Sequence, residues 1–385
     1  MRLRLRLYAL LSGISGSLGN NFVPYQVAVT GAAATSVAYA QGVNGLGSGF
    51  VQVVASGPMA RSSWKAGWLF ASTLLLGLLW LLLPLFASGV PLLILFTLTV
   101  LLGGLQGLAL QMVVGHHSRP WARGRDLSTI AFLSGLGGLL AFALAAVLTG
   151  IYHDVRLLYG LAGAIYVAAA VCVAGLGEGG EAPRLYWRES EEDALAMRKF
   201  LLASGVFGFF WGFAWPLFTL TQAKVIGMRY YEYSVAQLLA LLSTLAFQPL
   251  AGVFVDKGPR KALFFSRLGL AAFPLGFALS TKAWQVYVIN GATGLISALV
   301  NISSAGYIYA AAEPQAWARY LAQYNMVNGV LTMAGSIAGG LSVDLLLPHL
   351  GLQGALFASY QLAFVGRVVS SLLFLRLREP PRTRG

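Results

Sequence analysis

The chain has 385 residues, of which 57% are hydrophobic and only 10% charged, with a mean hydropathy of +0.72. Soluble domains carry roughly 25% charged residues, so the composition is that of an integral membrane protein, and the length suits about twelve spans rather than two or three soluble domains. The net charge of +13 does not point to nucleic acid, because the bases lie in short turns between apolar segments, and the single cysteine, Cys172, permits neither an intramolecular disulfide nor a metal cluster.

Apolar segments place helical spans near 7–31, 35–57, 67–88, 91–115, 127–151 and 156–176, then near 199–223, 233–255, 262–281, 284–311, 319–346 and 352–375. The opening bases Arg2, Arg4 and Arg6 could head a signal peptide. The apolar run continues through Asn20, Asn21 and Pro24 to Gly31 without a cleavage site, so it reads as a first transmembrane helix. Between the sixth and seventh spans lies the one long polar stretch, with Glu178, Glu181, Glu189, Glu191, Glu192 and Asp193. We read it as a cytoplasmic linker, helical from about Ser190. The organisation is then a six-helix bundle over 1–176, a linker over 177–198, a second six-helix bundle over 199–376 and a tail over 377–385. Lys and Arg alternate by side. One side collects 21 of them, including both termini and the linker, and the other has Arg156, Lys224, Arg229 and Lys282, with Arg367 left inside the last span. The positive-inside rule makes the crowded side cytoplasmic in a cell membrane. Arg367, about two turns from the end of its span, is expected to snorkel to the interface.

Amides are costly in lipid and mark the protein-lined interior. They occur as Asn20, Asn21 and Gln26 in the first span, Gln41, Asn44 and Gln52 in the second, Gln106 and Gln111 in the fourth, and again in the eighth, tenth (including Asn301) and eleventh. The seventh span carries a stripe at helical spacing, Ser204, Gly208, Trp211, Trp215, Phe218 and Gln222. From these we take Asn20, Asn21, Asn44, Gln106, Trp211, Trp215 and Asn301 as candidate cavity residues. Helix packing is the competing reading for each of them, and it is also the simplest reading for the glycines of the second, fifth and eleventh spans.

The turn after the eighth span reads Gly252-Val253-Phe254-Val255-Asp256-Lys257-Gly258-Pro259-Arg260-Lys261. A weaker copy lies 196 residues earlier, where Arg61 falls on Lys257 and Lys65 on Lys261, and the same offset carries Trp121-Ala122-Arg123 onto Trp317-Ala318-Arg319. Ungapped matches at two separated places indicate a duplicated half. Twelve spans, two halves, a central linker and this turn together resemble the major facilitator superfamily. Its loop signature runs roughly Gly-x-x-x-Asp-(Arg/Lys)-x-Gly-(Arg/Lys)-(Arg/Lys), and Gly252, Asp256, Lys257, Gly258, Arg260 and Lys261 fit it with Pro259 intervening. The first copy departs, with Ala60 in place of the acid. The resemblance implies an all-α membrane fold of two pseudo-symmetric six-helix bundles. It also implies conformational gating by this turn, with Asp256 facing the region of Arg123 when the cytoplasmic side is closed.

The resemblance implies secondary transport of a small molecule by alternating access. The cavity residues are amide-rich, aromatic and nearly uncharged, which suits a neutral polar or amphiphilic solute. No acid or histidine lies in the middle of a span, which argues against a midplane proton relay. Proton-coupled multidrug efflux is the alternative. It is weakened by the lack of an arginine in the fourth span and of a Gly-Pro pair in the fifth. A lipid-modifying enzyme built on His116-His117, or a non-transporting receptor, are the readings of other classes. No phosphate loop is present, and no cofactor, catalytic residue, metal or nucleic acid is expected. The expected partners are the bilayer and the solute, and nothing in the chain argues against a monomer.

Overall fold

The computed structural model describes residues 3–62, 64–86, 88–117, 123–176, 191–313 and 316–379. The linker residues 177–190, the turn containing Arg119 and the tail from 380 lie outside the described residues, as do the side chains of Arg61, His116, His117 and Arg123. Every regular element described is helical. The first half contains α1 (Leu3–Asn20), α2 (Phe22–Val29), α3 (Ala34–Arg61), α4 (Lys65–Leu82), α5 (Gly89–His117), α6 (Arg123–Tyr152) and α7 (Arg156–Val173). The second contains α8 (Glu191–Phe213), α9 (Trp215–Leu220), α10 (Tyr230–Lys257), α11 (Pro259–Ala271), α12 (Phe273–Ala278), α13 (Ala283–Ala311) and α14 (Trp317–Leu372).

Among the described residues, nine helical stretches are long and apolar enough to cross a bilayer. The stretch Arg319–Arg376 is 58 residues long and holds two spans, because Gly351 turns the chain at φ 65°, ψ 174°, in a region only glycine adopts freely. Two spans fall outside the nine: α1–α2, split at Asn21, and α3, whose hydropathy is diluted by Gln41, Asn44 and Gln52. With these the total is twelve, as the sequence predicts.

Proline sets most of the breaks. Pro24, Pro216 and Pro274 stand at the starts of α2, α9 and α12. Each lacks an N–H, so the carbonyl four residues earlier loses its helical partner. In a bilayer such a carbonyl has to be satisfied by protein.

The chain forms two compact units. Unit 1 holds 1–32, 46–184 and 229–238, and unit 2 holds 33–45, 185–228 and 239–385. They follow the sequence halves except that the first turns of α3 belong with unit 2 and the first turns of α10 with unit 1. In unit 1, α1 crosses α6 on glycine. A Cβ on Gly13 would collide with the Ser134 carbonyl, and one on Gly137 with the Leu10 carbonyl. A polar chain lies inside the same packing, where Gln106 Nε2 donates to Tyr8 Oη at 2.7 Å and Tyr8 Oη meets Thr73 Oγ1 at 3.0 Å.

In unit 2, α8 packs along α14 in the same manner. A Cβ on Gly335 would strike the Phe209 carbonyl, one on Gly339 the Phe213 carbonyl, and one on Gly212 the Thr332 carbonyl. Backbones this close maximise dispersion contacts where no hydrophobic effect drives helices together. Gly335→Val is expected to cost about 1–3 kcal/mol by overpacking, read as a lower Tm in detergent. Gly103→Ala, whose Cβ would meet nothing within 4 Å, is expected to leave Tm unchanged. Equal Tm values for the two variants would refute the role of the seam.

Candidate functional site

In unit 1 the candidate residues sit at the break between α1 and α2. Asn20 is half-buried at the end of α1, and the Asn21 side chain turns back so that Nδ2 donates to the Ser17 carbonyl at 3.3 Å. The Asn21 carbonyl accepts from Tyr233 Oη at 3.0 Å. Tyr25, one turn later, stacks on Tyr233 with centroids 4.2 Å apart and meets Tyr230 edge-on at 5.6 Å. Gln26 is buried, its Oε1 accepting from Tyr159 Oη at 2.6 Å. Gln106 is 9% exposed and engaged with Tyr8, so the structure assigns it to interhelical packing.

In unit 2 the first turns of α3 lie along α14. Asp344 accepts from the backbone N–H groups of Ala34 and Thr35, both at 2.9 Å. A carboxylate at this position satisfies two of the orphan donors of a helix N-terminus and complements its dipole. Further along, Ser336 Oγ donates to the Ala38 carbonyl at 2.8 Å, Gln41 Nε2 donates to Thr219 Oγ1 at 2.7 Å, and Gly45 and Gly329 face one another backbone to backbone. Asn44 sits on this seam, its Nδ2 3.4 Å from the Ala40 carbonyl. Asn301 is exposed on α13.

The tryptophan stripe of the seventh span is interrupted at Ala214, between α8 and α9. Trp211 and Trp215 meet edge to face with centroids 6.5 Å apart. Beside them lies Arg367, 2% exposed, which the sequence reading expected at the interface. It does not snorkel. Its Nε donates to the Phe210 carbonyl at 3.2 Å, one Nη to the Trp211 carbonyl at 2.9 Å and the other to the Leu270 carbonyl at 3.0 Å. The reason lies in the breaks. Phe210 and Trp211 belong to the last turn of α8, where carbonyls lack helical partners, and Leu270 is four residues before Pro274. The guanidinium also lies 5.6 Å from the ring centroids of Trp211 and Phe218.

Arg267 is the second buried arginine. It is 3% exposed, donates to Ser304 Oγ at 2.6 Å and to Ser266 Oγ at 3.3 Å, and lies over Phe207 and Phe374. It is one of the 21 bases that the sequence assigns to the cytoplasmic side, but it stands two turns inside α11. In the signature turn, Asp256, Lys257 and Lys261 are exposed, while Gly252 and Gly258 are half-buried. Arg260 pairs with Glu379 at 2.7 Å and donates to the Leu377 carbonyl at 3.2 Å, which ties the turn to the end of the last span. Glu379 was not singled out in the sequence, since its partner is 119 residues away. Arg123 stands at the first position of α6.

Arg367→Leu is expected to destabilise the protein by about 2–4 kcal/mol, because three buried carbonyls lose their donors. Arg367→Lys should recover only part of that, having one nitrogen for three acceptors. Adding Pro274→Ala to Arg367→Leu restores an N–H for Leu270 and should raise Tm above that of Arg367→Leu alone. If the double variant is no more stable than the single one, the freed carbonyl is not what the arginine serves.

The family model for the Major Facilitator Superfamily matches residues 200–385, from the seventh span onward. No curated protein matches the chain by sequence. By structure, the chain is similar to the nucleoside transporter NupG, with a TM-score of 0.75 and 15% identity over 97% of this chain and 99% of that one. It is also similar to an auto-inhibited POT family peptide transporter, with a TM-score of 0.79 and 11% identity over 99% and 98%. A third is a bacterial homologue of the human lysosomal transporter Spinster, with a TM-score of 0.69 and 14% identity over 97% and 95%. The twelve-span architecture, the signature turn before α11 and these matches lead to one conclusion: residues 200–385 match the Major Facilitator Superfamily, and the whole chain has the fold of the multi-pass transporters it is similar to.

Proposed function

We propose that the chain is a secondary transporter of the major facilitator superfamily, that its solute is small, uncharged and polar or amphiphilic, and that the solute moves by alternating access. The observation that carries this reading is the state of the charges inside unit 2. Both buried arginines are engaged by protein groups, Arg367 by three carbonyls and Arg267 by two hydroxyls. Asp344 is engaged by two backbone N–H groups. Among the described residues no carboxylate lies in the middle of a span. An anionic or cationic solute would have to enter a low-dielectric site without a counter-charge, at a cost of several kcal/mol. A neutral solute needs only amides and aromatic faces. The residues put forward for contact with it are Asn20, Asn21, Asn44, Trp211, Trp215 and Asn301. The nucleoside transporter among the structural relatives supports the reading, since a nucleoside is a neutral polar solute. The gating role of Gly252, Asp256, Lys257, Gly258, Arg260, Lys261 and Arg123 forms part of the proposal, as does cytoplasmic placement of both termini.

The test is thermal stabilisation of the purified protein by a panel of sugars, nucleosides, organic acids and lipophilic cations at two pH values. A neutral compound should raise Tm equally at both. Its affinity should fall about tenfold in Asn21→Ala and in Trp215→Ala, the loss of roughly 1.4 kcal/mol of contact energy. Stabilisation confined to lipophilic cations would sink the neutral-solute reading. Asp344→Ala bears on the cycle rather than on the solute. It is expected to lower Tm by the equivalent of about 1 kcal/mol, as loss of a helix cap does, and to increase the reactivity of a cysteine placed at Thr35. An unchanged reactivity would show that the α3–α14 seam is held without it.

A further inference from the structure

Unit 2 contains a cavity of about 380 Å³ that the transport reading does not use. It lies where the chain turns from the seventh span to the eighth, from the ninth to the tenth and from the eleventh to the twelfth, on the side of the protein opposite the chain termini. Its walls are apolar, made by Val225, Phe277, Leu356 and Phe357, and its mouth carries Thr281 and Gln353. Thr221 Oγ1 and Tyr360 Oη meet at 2.8 Å on its floor, so the deepest polar groups satisfy one another and ask nothing of an occupant.

Three local distortions create the space. The end of the seventh span is a π-turn over Thr221–Val225, with the Ile226 N–H donating to the Thr221 carbonyl, which widens the helix. The ninth span is bent at Pro274, one turn before the lining residue Phe277. The twelfth begins at Gly351, whose positive φ re-aims Gln353 and Leu356. The rim is apolar and open. Leu279 is 71% exposed and Phe357 48% exposed, so the cavity faces acyl chains rather than the bundle interior. At its mouth the surroundings become polar and basic. Gln353 is exposed, and exposed lysines stand next to two lining residues, Lys282 after Thr281 and Lys224 before Val225. These are two of only four bases expected on this side of the membrane.

We propose that this cavity binds one phospholipid of the leaflet opposite the termini, with an acyl chain between Phe277 and Phe357 and its anionic phosphate headgroup at Lys282, Thr281 and Gln353. The volume falls within the roughly 300–1,000 Å³ of ligand pockets. An apolar crevice open to the hydrocarbon layer is filled by the hydrocarbon at hand, and the basic mouth selects an anionic headgroup.

The experiment uses the full chain in nanodiscs containing phosphatidylglycerol or phosphatidylcholine, each with a photoactivatable group on the acyl chain, and maps the labelled peptides. Phosphatidylglycerol should label 277–281 and 353–360 ahead of other lipid-facing helices. Lys282→Glu should reduce that labelling about fivefold, the effect of removing one base near an anionic headgroup. Gln353→Phe closes the mouth from an exposed position and should abolish it, and Ala278→Phe, which fills the cavity from within, should do the same. Labelling spread evenly over all lipid-facing peptides and unchanged in Gln353→Phe would overturn the proposal, because the lipid would then be ordinary annular lipid. Equal labelling by the two headgroups would overturn the headgroup assignment. Competition by soluble glycerol phosphate would show that the mouth binds a free anion and that the lipid source is wrong.

Discussion

A guanidinium buried among helices without a carboxylate is the feature on which the packing of unit 2 turns. Transmembrane helices can bend only if the carbonyls released by the bend find donors inside the protein. Unit 2 bends at Pro274 and between α8 and α9, and one side chain from the last span donates to Leu270, four residues before Pro274, and to Phe210 and Trp211 in the last turn of α8. Arginine alone suits this task. Its planar fork offers five N–H groups with fixed directions and cannot lose its proton, whereas lysine would offer a single nitrogen. The flanking rings of Trp211 and Phe218 stabilise the charge further through their quadrupoles. Three spans, the seventh, ninth and twelfth, are thereby joined at one point.

The same constraint explains where the other polar groups are found. Gln106, Tyr8 and Thr73 close a chain inside unit 1, and Arg267 with Ser266 and Ser304 closes another inside unit 2. These groups hold helices in register, and glycine pairs such as Gly13 with Gly137 bring backbones close beside them. Packing here depends on shape and on satisfied hydrogen bonds, since lipid offers no hydrophobic drive between helices. Polar side chains left over from that work are few. Asn301 is exposed, and Asn20 and Trp215 are half-buried, and a transport site is built from groups of this kind.

Much of the architecture was legible in the sequence. Apolar runs of span length, the alternation of bases and the ungapped repeat around Arg61 and Lys257 all follow from local rules, and the helices fall where those rules put them. The prolines that break α1–α2, α8–α9 and α11–α12 were equally visible. What could not be read was which side chain answers each break. Arg367 is 97 residues from Leu270 and 156 from Trp211, so its position near a span end suggested snorkelling, and only the folded bundle shows otherwise. Gln106 looked like a cavity residue because an amide in a span signals polarity. Whether that polarity faces a cavity or a tyrosine on a neighbouring helix is decided by tertiary packing. Asp344 and Glu379 were overlooked for the same reason, since their partners lie far away in the chain.

The location of Arg367 has a consequence for how mutations near the proposed solute site are read. Trp211 is held through its backbone carbonyl by the same guanidinium that lies beside its ring, and Trp215 stands against it across the helix break. In the proposed site, a change at Arg367 would therefore displace the tryptophans through their backbone. A loss of affinity in such a variant would resemble the removal of a counter-charge. The two causes separate by solute charge. Displacing an aromatic wall weakens neutral and charged solutes alike, whereas removing a counter-charge weakens anions alone. With all three of its acceptors supplied by the backbone, Arg367 is engaged in packing, and the proposed preference for neutral solutes follows from the buried arginines of the described residues being engaged in the same way.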